Sequence, residues 1–459
     1  MRCRLGTSLL LGVCLGTSLV VLTPEGPSPS PATPANQVAG TQLVARSAQS
    51  EIRHVFVIVQ EGRSFDNYFG TFPGALGLSA TTAVPAAPAN PASALVKPHV
   101  LKALRTAPLD DSVNVATAAS NGGKMNGFVA AQSAAIGNGQ LAMGHYDAAQ
   151  IPYYWQLARS YVLADHFFSS TQGGSTSNYE YAVAAQSWPT AAAGGPPAGQ
   201  QTIFDRLTSA GVSWGYFVKN YSADRKAGRL AGLHAQVPLL DLSTVTSNPK
   251  QISHIQDLSH LYRQLARGGV PAVSYVVQPG QTEHAPGSVA AGEVATVGLI
   301  NAIMRSRYWG SSAIFLTWSD WGGWYDGVAP PQVDGTSYGF RVPALIVSPY
   351  ARRGLVLHNV ADFTSILKFI ETVYGVAPLT SRDQSAYDLL GAFDFSRPPR
   401  PARPIVMGTL PSTTATQGSR PVIFAAYGAV ALMVAGLLGY AASSWLRSGD
   451  GWRRLWRRA

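Results

Sequence analysis

The chain has 459 residues, of which 46% are hydrophobic and only 13% charged, a composition that supports a large packed core and excludes a disordered chain. Its formal net charge of +10 is concentrated at the ends, with Arg2 and Arg4 at the start and Arg447, Arg453, Arg454, Arg457 and Arg458 among the last residues. The body between them holds only a small cationic excess, which argues against nucleic acid as a partner.

Residues 1–22 have the layout of a secretory signal peptide or signal anchor: Arg2 and Arg4 precede an apolar run from Leu9 to Leu22. Both cysteines, Cys3 and Cys14, fall inside it. A processed chain then has no disulfide, no thiol nucleophile and no thiolate ligand. Residues 23–50, rich in Pro, Ser, Thr and Ala, read as a disordered linker. A catalytic-sized body is expected over 51–395, a second Pro- and Thr-rich linker over 396–420, and a transmembrane helix over 421–446. That last segment carries no charged residue from Pro421 to Leu446, and at 1.5 Å per residue it spans a hydrocarbon core of about 30 Å. Trp445, Trp452 and Trp456 suit the interface, and the basic tail 447–459 suits the cytoplasmic side. The expected topology is a single-pass cell-membrane protein with its body outside the cytoplasm.

Within the body, short apolar runs bounded by turn residues predict buried strands at His54–Gln60, Val212–Val218, Ala272–Val277, Ala313–Trp318 and Ala344–Ser348. Helical patterns lie between them at Ile151–Tyr161, Ile203–Ala210, Asp257–Arg267, Gly292–Ser306 and Asp362–Tyr374. Strands alternating with helices imply an α/β fold with a mainly parallel sheet, whose ligands bind at the carboxyl ends of the strands. The Ala- and Pro-rich stretch Leu76–Leu101 reads as a surface excursion.

Three polar clusters follow from that rule. After the first strand comes Glu61-Gly62-Arg63-Ser64-Phe65-Asp66, where a strand-end carboxylate before a glycine turn suits a metal ligand; the same residues also read as a helix cap or turn. After the fourth strand comes Ser319-Asp320-Trp321-Gly322-Gly323-Trp324-Tyr325-Asp326, a second strand-end acid with the same two readings. Between them, Ser169 to Asn178 is a hydroxyl-rich, Gly-containing turn that suits an anion or an ordinary hydroxyl-bonded turn. Trp318, Trp321 and Trp324 read as lipid-headgroup contacts or as core packing.

Taken together, these stretches resemble one family. Gln60 to Gly70 (Q-E-G-R-S-F-D-N-Y-F-G) is similar to the E-N-R-S-F-D-x-Y-F-G signature of the phosphoesterase family that includes bacterial phospholipases C and acid phosphatases. Gly144 to Trp155, Leu163 to Ser170, Leu316 to Asp326, and Arg341 to Pro349 with Thr364 to Glu371 resemble the same family in the same order. The resemblance implies an alkaline-phosphatase-like three-layer sandwich and a metal-assisted phosphoryl transfer on a phosphate-ester or phospholipid substrate. Alignment on Asn178 places Ser175 as the nucleophile, with Gly174 and Ser177 where the family has prolines. It implies one divalent metal ion held by Glu61, Asp320, Ser319 and Ser175, and His284 as an orienting or proton-donating group. His145 is a second candidate beside His284, or a structural histidine, and Asn178 and Arg63 are the implied substrate-binding residues. Three further positions depart from the pattern: Gly62 replaces Asn, Ser319 replaces Asp, and Asn126 replaces Asp. The expected function is therefore a membrane-anchored phosphoesterase, or a weakened relative that binds phosphate esters or lipid headgroups at the surface.

Overall fold

A computed structural model of the chain describes residues 34–172, 174–189, 193, 195–333 and 335–408. The expected signal segment and the span Pro421–Leu446 lie outside the described residues. Among those described, no helix is long and apolar enough to cross a membrane. The unit that carries the sheet and the site begins at Val44.

Its centre is an eight-stranded sheet. In chain order the strands are β1 (His54–Gln60), β2 (Val162–Ala164), β3 (Trp214–Val218), β4 (Ile255–Asp257), β5 (Val273–Val277), β6 (Ser312–Trp318), β7 (Ala344–Val347) and β8 (Leu355–Leu357). Their spatial order is β8-β2-β7-β6-β1-β5-β3-β4. Strand β7 is antiparallel to both of its neighbours, and every other pairing is parallel. All seven residues of β6 and six of the seven of β1 are buried, so both faces of these strands are covered. Alternate side chains of a strand point to opposite faces, and such unbroken apolar runs are what a sheet covered on both sides requires. The expected α/β fold with a mainly parallel sheet is thus observed.

The five predicted strands all form, shifted by at most two residues at an end. Strands β2, β4 and β8, three residues each, escaped the sequence reading because three residues carry no measurable alternation. The helices Pro152–Ser160, Ile203–Ser209, Leu258–Arg267, Val289–Arg305 and Phe363–Tyr374 match the predicted ones closely. The stretch read as a disordered linker behaves differently: Pro34–Glu51 is helical, because proline suits the first helical turn and the Ala, Gln, Leu and Arg that follow are good helix formers. The beginning of the second linker is also held. Arg400 donates to the carbonyls of Ser160, Ser348 and Ala351, and Ile405 exchanges two hydrogen bonds with the buried Asn301.

Candidate active site

Parallel pairing of β1 and β6 builds the site. Gln60 is in register with Trp318, and the zipper continues past the strand ends: the Ser319 amide donates to the Gln60 carbonyl (2.8 Å) and the Arg63 amide to the Asp320 carbonyl (2.9 Å). Glu61 and Asp320 are therefore brought side by side by backbone geometry before any ligand is considered. Gly322 completes the approach; its φ of +60° is a left-handed conformation, and a Cβ there would run into the Gly62 carbonyl.

The hydroxyls converge on Asp320. Ser175, in the first turn of the helix Gly174–Ala184, donates from Oγ to Asp320 Oδ2 at 2.5 Å. Ser319 Oγ donates to the same oxygen at 2.7 Å and lies 3.4 Å from Ser175 Oγ. The Gly322 amide donates to Asp320 Oδ1 at 2.8 Å. Burial pushes the Asp320 carboxyl up, with the charge of Asp111 adding to it and the hydroxyls opposing it. Glu61 is likewise raised, first by burial and then by Asp320; its Oε1 accepts from Gln236 Nε2 at 2.9 Å. Nearby, Tyr179 is raised well above its usual range by burial and then by Glu61, and among the described residues its buried hydroxyl has no hydrogen-bond partner.

His284 joins from the loop after β5. Its Nε2 faces Asp111 Oδ2 at 3.0 Å. That contact, with Asp320 and Glu61 behind it, raises the imidazole pKa although burial opposes. Its position is tied to Gly62, which has φ of +67° and whose missing Cβ would collide with the His284 ring. The loss of a side chain at 62 and the seat of His284 are one structural feature. Glu283 anchors the loop from below: it accepts from Tyr68 and Tyr154 hydroxyls, both at 2.5 Å, and from Trp318 Nε1 at 3.2 Å. Burial moves its pKa to about 7.

Of the residues expected from sequence, Glu61, Ser175, Ser319, Asp320 and His284 meet in this cluster. The others take different places. Arg63 is fully buried, donates to the Glu283 carbonyl at 2.6 Å, and lies over the Trp324, Tyr68 and Tyr146 rings. It therefore holds the His284 loop rather than presenting a cation to substrate. Asn178 spends its amide on the turn, donating to the Thr171 and Gly174 carbonyls and accepting from the Thr171 amide. His145 sits in the short strand Gly144–His145, paired with His99–Val100, and burial lowers its pKa; among the described residues it makes no hydrogen bond to the cluster. Trp318, Trp321 and Trp324 are at most 3% exposed and pack in the core, so the lipid-contact reading of these three rings is corrected.

Asp111 and Glu283 carry weight that sequence reasoning did not assign. Asp111 precedes the helix Val113–Ser120, an ordinary place for an acid, and only the tertiary approach of His284 gives it a role. The signature block is likewise mostly structural. Ser64 caps the short helix Phe65–Phe69 and donates to the Tyr325 carbonyl, while Asp66 and Asp326 both pair with the buried Arg341 (3.1 and 2.8 Å).

The half-buried Glu61 carboxylate, whose pKa Asp320 raises, the buried Asp320 carboxylate, two hydroxyls and the Tyr179 phenol form an all-oxygen donor set that fits a hard divalent cation. Gly62 adds no donor. A hydroxyl bonded to a carboxylate at a helix start, beside a carboxylate-held histidine, is an arrangement compatible with nucleophilic hydrolysis.

Sequence comparison shows the family. The Phosphoesterase family model matches residues 52–377, and the chain belongs to that family. It is 28% identical over 422 residues to phospholipase C B of Mycobacterium tuberculosis, covering 77% of this chain and 80% of that protein. It is 26% identical over 417 residues to a non-hemolytic phospholipase C of Pseudomonas aeruginosa, covering 76% of this chain and 58% of that protein. A solved alkaline-phosphatase-superfamily protein from Vibrio parahaemolyticus aligns with 75% of this chain and 77% of its own at 10% identity and a TM-score of 0.34. The chain is a hydrolase acting on phosphoester bonds.

Proposed function

We propose that the protein hydrolyses phosphate esters, with phospholipids as the substrate class, using Ser175 as the nucleophile. The observation that carries this is the 2.5 Å hydrogen bond from Ser175 Oγ to the buried Asp320 carboxylate, beside the His284–Asp111 pair. Asp320 orients the hydroxyl and takes its proton as Oγ attacks phosphorus; the P–O bond to the leaving group breaks, and protonated His284 supplies a proton to the departing oxygen. Water then attacks the phosphoserine, giving its proton to His284, and Ser175 leaves with the proton from Asp320. Glu61, Asp320 and the oxygens of Ser175 and Ser319 are the residues that would hold one divalent ion. When bound, that ion offsets charge on the phosphoryl oxygens and lowers the hydroxyl's pKa. The relatives' designation as phospholipases C and the apolar span Pro421–Leu446 support a lipid substrate met at a membrane.

The test is hydrolysis of a chromogenic phosphate ester and of a short-chain phospholipid by the full chain in detergent. Added divalent ion should support turnover, chelator should remove it, and Ser175→Ala should lower kcat by at least a thousandfold with the fold intact. Retained activity in that variant refutes the nucleophile assignment. Absence of turnover with every divalent ion, with phosphate-ester binding retained, would instead make the protein a surface binding protein.

A further inference from the structure

A second cluster of donors lies along the same edge of the sheet, apart from the proposed nucleophile. Asp165 follows β2 and His358 follows β8. These strands are parallel, with Ala164 in register with Leu357, so the next residue of each is delivered to the same place. In the strand order, β2 and β8 stand two and three strands from β6, roughly 10–15 Å from the Asp320 end at about 4.8 Å per strand. His166 Nδ1 lies 2.7 Å from Asp165 Oδ1, and His358 Nδ1 lies 2.9 Å from both Asp165 oxygens. One donor atom from each residue falls within 4.8 Å of the other two.

The carboxylate is fixed independently of either ring. The Leu76 amide donates to Asp165 Oδ2 at 2.8 Å, the Asp165 amide donates to the Leu357 carbonyl at 3.1 Å, and the buried Arg341 donates to the Asp165 carbonyl at 2.9 Å. Asp165 is fully buried, whereas the side chains of His166 and His358 are 20% and 60% exposed. This is a rigid inner ligand with two outer ligands open to entry from solvent. Both rings turn the same nitrogen, Nδ1, towards one carboxylate.

We propose that Asp165, His166 and His358 form a zinc site, separate from the catalytic donors and completed by water as fourth ligand. Two imidazole nitrogens and one carboxylate oxygen suit Zn²⁺ rather than Mg²⁺ or Ca²⁺, which take oxygen-rich shells. Tetrahedral bonds of 2.0–2.1 Å need donors about 3.3 Å apart, slightly wider than the present spacing, and the exposed His358 ring is free to open by that amount. The Leu76 amide bond to Asp165 Oδ2 is the kind of outer contact that orients a ligating carboxylate. The bound ion would staple the three-residue edge strand β8 to β2.

The full chain in detergent, stripped with chelator and re-equilibrated with Zn²⁺, should retain one equivalent more zinc by elemental analysis than His166→Gln/His358→Gln. With Co²⁺, the unaltered chain should show the intense visible absorption of a tetrahedral ion, and the double variant should lose it. Zn²⁺ should raise Tm in the unaltered chain and do so less in His358→Gln, whose exposed position leaves folding intact. Phosphate-ester turnover with Mg²⁺ should stay within twofold in both variants. Equal zinc content and equal Co²⁺ absorption in the unaltered chain and the folded variants would overturn the site. Because the readouts are metal content and spectrum, the result is independent of whether Ser175 is the nucleophile.

Discussion

Gly62→Ala tests how the site is assembled. Two costs follow from the structure. Residue 62 has φ of +67°, and a side chain held in the left-handed region costs roughly 1–2 kcal/mol. Its Cβ also meets the His284 ring, so the imidazole must leave its place beside Asp111. Displacing a general acid lowers rate by about 10²–10⁴-fold, far more than the backbone strain alone would do through stability. The decisive assay is a double-mutant cycle on kcat with Gly62→Ala, His284→Ala and the pair. If Gly62→Ala acts through His284, it should lower kcat at least a hundredfold alone and change it less than about threefold in the His284→Ala background. A hundredfold effect that vanishes this way is a coupling of about 2.7 kcal/mol. Gly62→Asn separates the two costs, since Asn tolerates the left-handed region better but meets the same ring. Multiplicative losses in the cycle, or a Gly62→Asn enzyme of full activity with His284 still required, would refute the reasoning.

Two further outcomes concern pH. Glu293 is buried, its Oε1 accepting from the Tyr153 and Tyr154 amides and its Oε2 without a partner among the described residues, and burial raises its pKa to about 8. The native state keeps this proton while the unfolded state loses it near 4.5, so stability should fall as pH rises from about 4.5 to about 8 and level off beyond, by an upper bound of roughly 4–5 kcal/mol. Glu293→Gln keeps the acceptor oxygen and should flatten that slope in denaturant titrations; an unchanged slope would rule Glu293 out as its source. Asp111→Asn removes the largest contribution raising the His284 pKa, so the alkaline limb of the kcat profile should move to lower pH, with KM little changed. A limb that stays in place would mean that His284 is not the acid.

The sheet was legible because each long strand is an apolar run closed by turn residues, and its strand-end acids, Glu61 and Asp320, were legible for the same reason. The three short strands were not, and two of them, β4 and β8, are the sheet's outer edges, where less burial leaves less pattern. Residue type misled where burial decides. Arg63 looks like an anion ligand in sequence, yet it is enclosed by aromatic rings; Asn178 looks like a substrate contact, yet its amide is used by its own turn. Asp111 could not be found from sequence because no local periodicity connects it to His284, 173 positions away. The His166–Asp165–His358 cluster depends on the pairing of β8 with β2, which the sequence pattern did not reveal.

The departures at 62 and 319 make sense when read against the hydrogen bonds. An aspartate at 319 beside Asp320 and Glu61 would put three adjacent carboxylates at two strand ends, each desolvated and each raising the others' pKa. Ser319 instead donates to Asp320 Oδ2, as Ser175 does, so the local charge falls and the remaining carboxylate is oriented by two hydroxyls and the Gly322 amide. Gly62 leaves the His284 ring unobstructed in its present place, and the ring's partner Asp111 brings a third acid to the site at one remove, through an imidazole. On the proposed reading, charge that would otherwise have to be neutralised by the ion alone is shared with a protonatable side chain. Metal affinity should then be weaker than a fully acidic set gives, while the hydroxyl and its proton acceptor stay in place without the ion.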